Sequence, residues 1–150
     1  MRRAIELSLE NVRSCRGGPF AALVVKDGKI IGEGTNQVTS TNDPSAHAEM
    51  VAIRSACRAL NSFQLTGCDL YTTCEPCPMC MGLIYWARPA RVFFANTKED
   101  AAAIGFDDSR IYEEFKLDHS RRAIPMTQLM HDEAQSAFRA WEEKPDKILY

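Results

Sequence analysis

The sequence predicts an α/β fold of three layers, with a central mixed five-stranded sheet covered by helices on both faces. Three observations predict it. Short apolar runs of strand length alternate with segments whose apolar residues recur every three or four positions. The first two strand-like runs are joined by Asp27-Gly28, a hairpin turn. The chain has 150 residues and is 45% hydrophobic, which suits one domain with a proper core, residues 1–150, free of repeats and linkers.

The elements follow in order. Residues 1–15 carry Ile5, Leu7, Leu9 and Val12 among charges and read as a helix stopped by Gly17-Gly18-Pro19. Phe20–Val25 and Lys29–Gly34 are the strands of the hairpin. The polar stretch from Asn36 to Asp43 reads as a loop. Asp43 and Pro44, as N-cap and first helical residue, open a helix whose buried stripe is Met50, Ile53, Cys57 and Leu60. Cys68–Thr73 is a strand leading into a cysteine-rich loop. Residues 78–87 are apolar almost all round, which predicts a helix buried between layers. Arg91–Ala95 is the fourth strand, short helices follow near Glu99–Ala103 and Ile111–Phe115, and Ile124–Leu129 is the fifth strand, at an edge because of Pro125. Asp132–Glu143 is the last helix, ahead of a tail ending in Tyr150.

Net charge is −2 and the sequence pI is about 5.9, which argues against a nucleic-acid partner held through phosphate contacts. Neither a signal peptide nor a membrane span is read after Met1-Arg2-Arg3. Cys74, Cys77 and Cys80 crowd together as metal chemistry in a reducing compartment does, so the expected location is the cytoplasm.

The chemistry concentrates between His47-Ala48-Glu49 and Pro76-Cys77-Pro78-Met79-Cys80. One imidazole and two thiolates suit a catalytic Zn²⁺, which takes three protein ligands and leaves one tetrahedral position to water. Cys77 and Cys80, three apart at a helix start, can turn both sulfurs to one side, and the helix N-terminus favours thiolate. Glu49 is then a carboxylate free to move protons. A structural zinc closed by Cys74 is the alternative, and it leaves Glu49 without a role. His47 and Glu49, two apart, can converge only at the start of a helix, where a long side chain can curl back.

His-x-Glu followed by Pro-Cys-x-x-Cys is the zinc-deaminase signature. Together with Gly17-Gly18-Pro19-Phe20, the segment Asn36 to Glu49, Ile84-Tyr85-Trp86-Ala87-Arg88-Pro89, Gly105-Phe106-Asp107-Asp108 and the terminal Tyr150, it resembles the cytidine-deaminase-like superfamily, and within it the bacterial guanine deaminases. The resemblance implies zinc on His47, Cys77 and Cys80, proton transfer by Glu49, and a purine base held by Asn36, Phe20, Ala48, Asp108 and Tyr150. It also implies a homodimer that swaps the C-terminal segment. Plainer readings stand beside these: Phe20 as a core residue at a strand start, Asp108 as a helix cap, Tyr150 as a polar-ended tail. Glu142 and Glu143 are either near the site or simply a charged helix end. Guanosine deaminase, transfer-RNA adenosine deaminase and a non-catalytic zinc-binding module are the rival functions.

Overall fold

Four consecutive residues of one strand, Ala21–Val24, are buried, and alternating side chains can all be buried only if both faces of the strand are covered. This strand, β1 (Ala21–Lys26), is the second of a four-stranded sheet in a computed structural model that describes all residues from Met1 to Tyr150. The order is β2 (Lys29–Thr35), β1, β3 (Asp69–Cys74), β4 (Arg91–Asn96). β1 is antiparallel to both neighbours, whereas β3 and β4 are parallel, so the sheet is mixed. The chain divides into two compact units, Met1–Asp108 and Ser109–Tyr150.

In the first unit, α1 (Arg2–Arg13) buries Ala4, Ser8 and Asn11, a stripe at helical spacing, and packs on β1 and β3. It stops earlier than the sequence predicts, because Cys15 takes a left-handed φ of 56° before the glycines are reached. On the other side α3 (Ala48–Leu60) lies on β2 and β1. Ala48, Ala52, Ile53 and Ala56 form its buried face with Glu49, so Met50, Cys57 and Leu60 are displaced to the flank. Alanines line this face because β2 offers no depth. A Cβ on Gly34 would stand 2.2 Å from the Ala48 carbonyl oxygen, and one on Gly32 2.5 Å from that of Ala52. Helix and strand backbones touch through absent side chains.

Asp43 does not cap α3. Its Oδ1 accepts from the Ser45 backbone N–H at 2.8 Å and from the Ser45 hydroxyl at 2.7 Å, closing a local turn instead. His47, with φ −69° and ψ 155°, is the residue before the helix. The expected loop before it contains one helical turn, α2 (Val38–Thr41).

α4 (Pro78–Ala87) begins and ends as expected, but only Cys80, Ile84 and Ala87 are buried; Tyr85 is 75% exposed and Trp86 59%. Burial all round is therefore corrected: this ten-residue helix packs against α3 and has one inner face, and its outer aromatic residues are exposed. After β4, α5 (Lys98–Ala103) opens on a capping box in which Thr97 and Asp100 satisfy each other's backbone N–H groups.

The second unit holds α6 (Ser109–Phe115), a single 3-10 turn (His119–Arg121) and α7 (His131–Glu143). Ile124–Leu129 is irregular and joins no sheet, so the predicted five-stranded sheet has four strands. Pro125 has no N–H to give a ladder. Met126 instead donates its backbone N–H to the His119 carbonyl at 3.4 Å, and Glu114 accepts from the Ala123 N–H at 2.8 Å. No helix in the chain is long and apolar enough to cross a membrane.

Candidate metal and active site

Two helix starts meet at the site. His47 precedes α3 and Cys77 precedes α4, each in extended backbone, with Pro78 in the first helical position of α4. His47 is outside the helix and Glu49 is the second residue within it, and this break in backbone direction lets residues two apart face one point. The helix starts also bring their partial positive charge there, which favours thiolate and carboxylate.

His47 Nδ1 lies 3.5 Å from Cys77 Sγ and 3.6 Å from Cys80 Sγ. One ligand atom from each residue falls within 4.8 Å of the others, a set that can hold a metal ion. One nitrogen and two sulfurs, with the rest of the coordination sphere not closed by protein, fit Zn²⁺ in the open arrangement of catalytic sites. Cys74 stands apart: its thiol donates to the Thr97 carbonyl at 3.5 Å, and burial pushes it up to about 11. The fourth-ligand alternative is not what this geometry builds.

The electrostatics of the cluster concentrate negative charge on one sulfur. Hydrogen bonding from the Cys80 thiol, and then from the His47 imidazole, draws Cys77 down to about 4. Cys80 is pushed up, because its proton is what the Cys77 thiolate accepts. The same thiolate raises His47. Glu49 is 6% exposed, and burial raises its carboxyl above the usual range. Its Oε2 lies 3.5 Å from Cys80 Sγ, and its Oε1 accepts from the Thr72 hydroxyl at 3.2 Å.

Thr72 is a site residue that sequence reasoning missed. The signal was present in Tyr71-Thr72-Thr73, two hydroxyls inside a buried strand. Thr73 uses its own to accept from the Ala21 backbone N–H at 3.0 Å, leaving Thr72 on the Glu49 side.

The other expected residues divide into two groups. Asn36 is buried, with its Oδ1 accepting from the Gly18 backbone N–H at 3.3 Å. Phe20 is half-buried, packs on the core and meets Phe106 edge-on with ring centroids 4.9 Å apart, which is the core reading. Asp108 is half-buried, and burial followed by the Cys77 thiolate raises its carboxyl. The Ala48 side chain belongs to the core, and the residue is wholly buried. Tyr150 lies in the second unit, 71% exposed, as do Glu142 and Glu143 at the end of α7.

A sheet with helices on both faces and a His-Cys-Cys cluster beside a buried glutamate define a zinc-dependent deaminase. The chain belongs to the cytidine and deoxycytidylate deaminase zinc-binding family, whose sequence profile matches residues 1–96. It is 53% identical to guanine deaminase of Bacillus subtilis over 150 residues, which covers 100% of this chain and 96% of that protein. The crystal structure of the Bacillus subtilis enzyme superposes with a TM-score of 0.97 over 99% of this chain and 95% of that one. A guanine deaminase structure from Nitrosomonas europaea gives a TM-score of 0.68 at 35% identity, covering 71% of this chain and 62% of the other. Likeness to the transfer-RNA-specific adenosine deaminase of Aquifex aeolicus is confined to 77 residues, 51% of each chain, at 48% identity.

Proposed function

We propose that this protein deaminates guanine hydrolytically, giving xanthine and ammonia, with zinc as cofactor. The observation that carries this reading is 53% identity over the whole length, 100% of this chain against a guanine deaminase, where the transfer-RNA-specific adenosine deaminase of Haemophilus influenzae matches 80% of it at 35% identity. In this reading His47, Cys77 and Cys80 hold the metal. Zinc bound there supplies Lewis acidity that brings the ionisation of water to near neutral pH.

The chain's own residues do the rest. Glu49 is the proton carrier: Thr72 fixes Oε1, so the other carboxylate oxygen is aimed at the cluster. It accepts a proton from water as the water oxygen bonds to C2 and gives that proton to the adjacent purine ring nitrogen; it then takes the remaining proton from the new C2 hydroxyl and passes it to the amine, so that the C2–N bond breaks and ammonia leaves. One water enters, one ammonia leaves, and the carboxylate is restored. Asn36 and the Ala48 backbone hold the base edge, Phe20 packs against the ring, and Asp108 stands toward the amino end.

Residues 1–150 act as one deaminase domain that is completed by a second copy, with the C-terminal segment and its Tyr150 swapped between subunits. Support comes from apolar side chains left exposed on each unit separately: Tyr85, Trp86 and Phe94 on the first, Phe115, Phe138 and Leu149 on the second. A cytoplasmic location accords with six cysteines none of which is paired.

The test is ammonia release by the zinc-loaded protein from guanine, guanosine, adenine, cytosine and a transfer-RNA hairpin in parallel. Guanine well ahead of the rest supports the reading. Guanosine ahead keeps the zinc chemistry and overturns guanine as the substrate, and turnover of the hairpin alone overturns a free base altogether.

A further inference from the structure

Asn11 is a polar side chain of α1 that neither the metal cluster nor the proton carrier uses, and it is 3% exposed. Its Nδ2 spends both hydrogens on backbone carbonyls from different segments, Gly18 and Asn36, each at 2.9 Å. Two carbonyls can be bridged only by the nitrogen of an amide, so the orientation of this side chain is fixed by chemistry. The segments it joins carry Phe20 and Asn36. The Asn36 N–H donates to the Phe20 carbonyl at 3.0 Å, and the Gly18 N–H donates to Asn36 Oδ1 at 3.3 Å. Gly17 allows this close approach, since a Cβ there would stand 2.2 Å from the Asn36 carbonyl oxygen.

The consequence lies in the Asn36 amide. A backbone N–H can pair only with its oxygen, so Oδ1 is committed to Gly18 and the NH2 is turned away from it. We propose that Asn11 is a positioning residue that clamps the Gly18 and Asn36 carbonyls, thereby holding the Asn36 amide so that it offers a donor, and selecting rings that present a carbonyl oxygen or unprotonated nitrogen at that point. This rests on Asn36 binding the base, as proposed above.

A side chain that merely docks α1 would affect stability without acting through Asn36. A double-mutant cycle separates the two roles. Asn11→Ala raises KM for guanine about tenfold, the fold-change of roughly 1.4 kcal/mol of binding, with kcat within about twofold and zinc content unchanged. In an Asn36→Ala background the same substitution adds less than about twofold, because the amide to be positioned is gone. An equal rise in both backgrounds, or an unchanged KM, overturns the proposal. Asn11→Ser, which keeps one donor, takes the cycle if the alanine variant does not fold.

A substrate-free measurement keeps this distinct from the guanine reading. The Asn36 side-chain amide signals in a ¹⁵N–¹H spectrum, assigned by their loss in Asn36→Ala, are expected to shift towards solvent-exposed values in Asn11→Ala. Unchanged signals overturn the clamp whatever the substrate is, whereas an inactive wild type with shifted signals overturns only the guanine reading.

Discussion

Adding one methyl group at Gly34 should disable the site from the far side of α3. The new Cβ would lie 2.2 Å from the Ala48 carbonyl oxygen, 2.4 Å from the Ala52 nitrogen and 3.0 Å from the Val51 Cβ. Two of the three obstacles are helix backbone, which has no rotamer to escape into. Restoring ordinary contact needs a shift of α3 from β2 of about 1 Å, since packed interiors tolerate little overlap. The N-terminal turn of α3 carries Glu49 and is preceded by His47, whereas Thr72 belongs to β3, Cys80 to α4, and Cys77 directly precedes α4. The shift therefore separates the two halves of the cluster. Overpacking costs about 1–3 kcal/mol, or a Tm lower by roughly 3–10 °C for a chain of this size. Misplacing a catalytic group by about 1 Å costs on the order of a hundredfold in rate. Gly34→Ala should therefore lose zinc affinity and fall about a hundredfold in kcat/KM while still folding. The assay is metal content, Tm and kcat/KM on one preparation. A variant that keeps full zinc and full turnover would refute the claim that this contact sets the site.

Further expectations concern the site directly. Thr72→Val, nearly the same shape without the hydroxyl, should lower kcat roughly tenfold, as expected for a lost hydrogen bond to a charged group; wild-type kinetics would remove Thr72 from the site. His47→Ala should lose zinc, measured by atomic absorption, along with activity; retained stoichiometric metal would reassign the ligand. In zinc-free protein Cys77 is lowered to about 4 from the ordinary value of 9.0. A depressed pKa means the unfolded chain binds the proton more tightly, so this contribution to stability grows as pH rises from 4 to 9 and is lost on acidification through 4. Zinc-free wild type should gain stability over Cys77→Ser across that window, read by urea midpoints, and parallel curves would contradict the assignment.

The clustering of His47, Cys77 and Cys80 was legible because three residues of ligand type at such spacing carry their own chemistry, whatever the fold. The four strands of the first unit were legible as apolar runs punctuated by Asp27-Gly28 and Arg88-Pro89. What escaped was set by partners distant in sequence. Thr72 meets Glu49 across 23 residues and Asn11 meets Asn36 across 25, and no local pattern marks either pairing. Periodicity located α3 but picked its larger side chains as the buried stripe. The real interface is alanine on glycine, which hydrophobic patterning underweights. Asp43-Pro44 looked like a helix start because an Asx turn uses the same side-chain oxygen as an N-cap. Ile124–Leu129 has strand composition, yet strands form only where a partner offers a ladder.

Glu49→Gln is the substitution that tests the central claim most directly. It keeps the size of the side chain and an oxygen for Thr72 to donate to, and removes the proton carrier alone. The measurement is xanthine formation from guanine at equal, verified zinc content. The account predicts stoichiometric metal, an unchanged fold and turnover lower by about 10⁴-fold, the upper range for acid–base catalysis. Turnover within about tenfold of wild type would contradict it and move the proton chemistry elsewhere in the site.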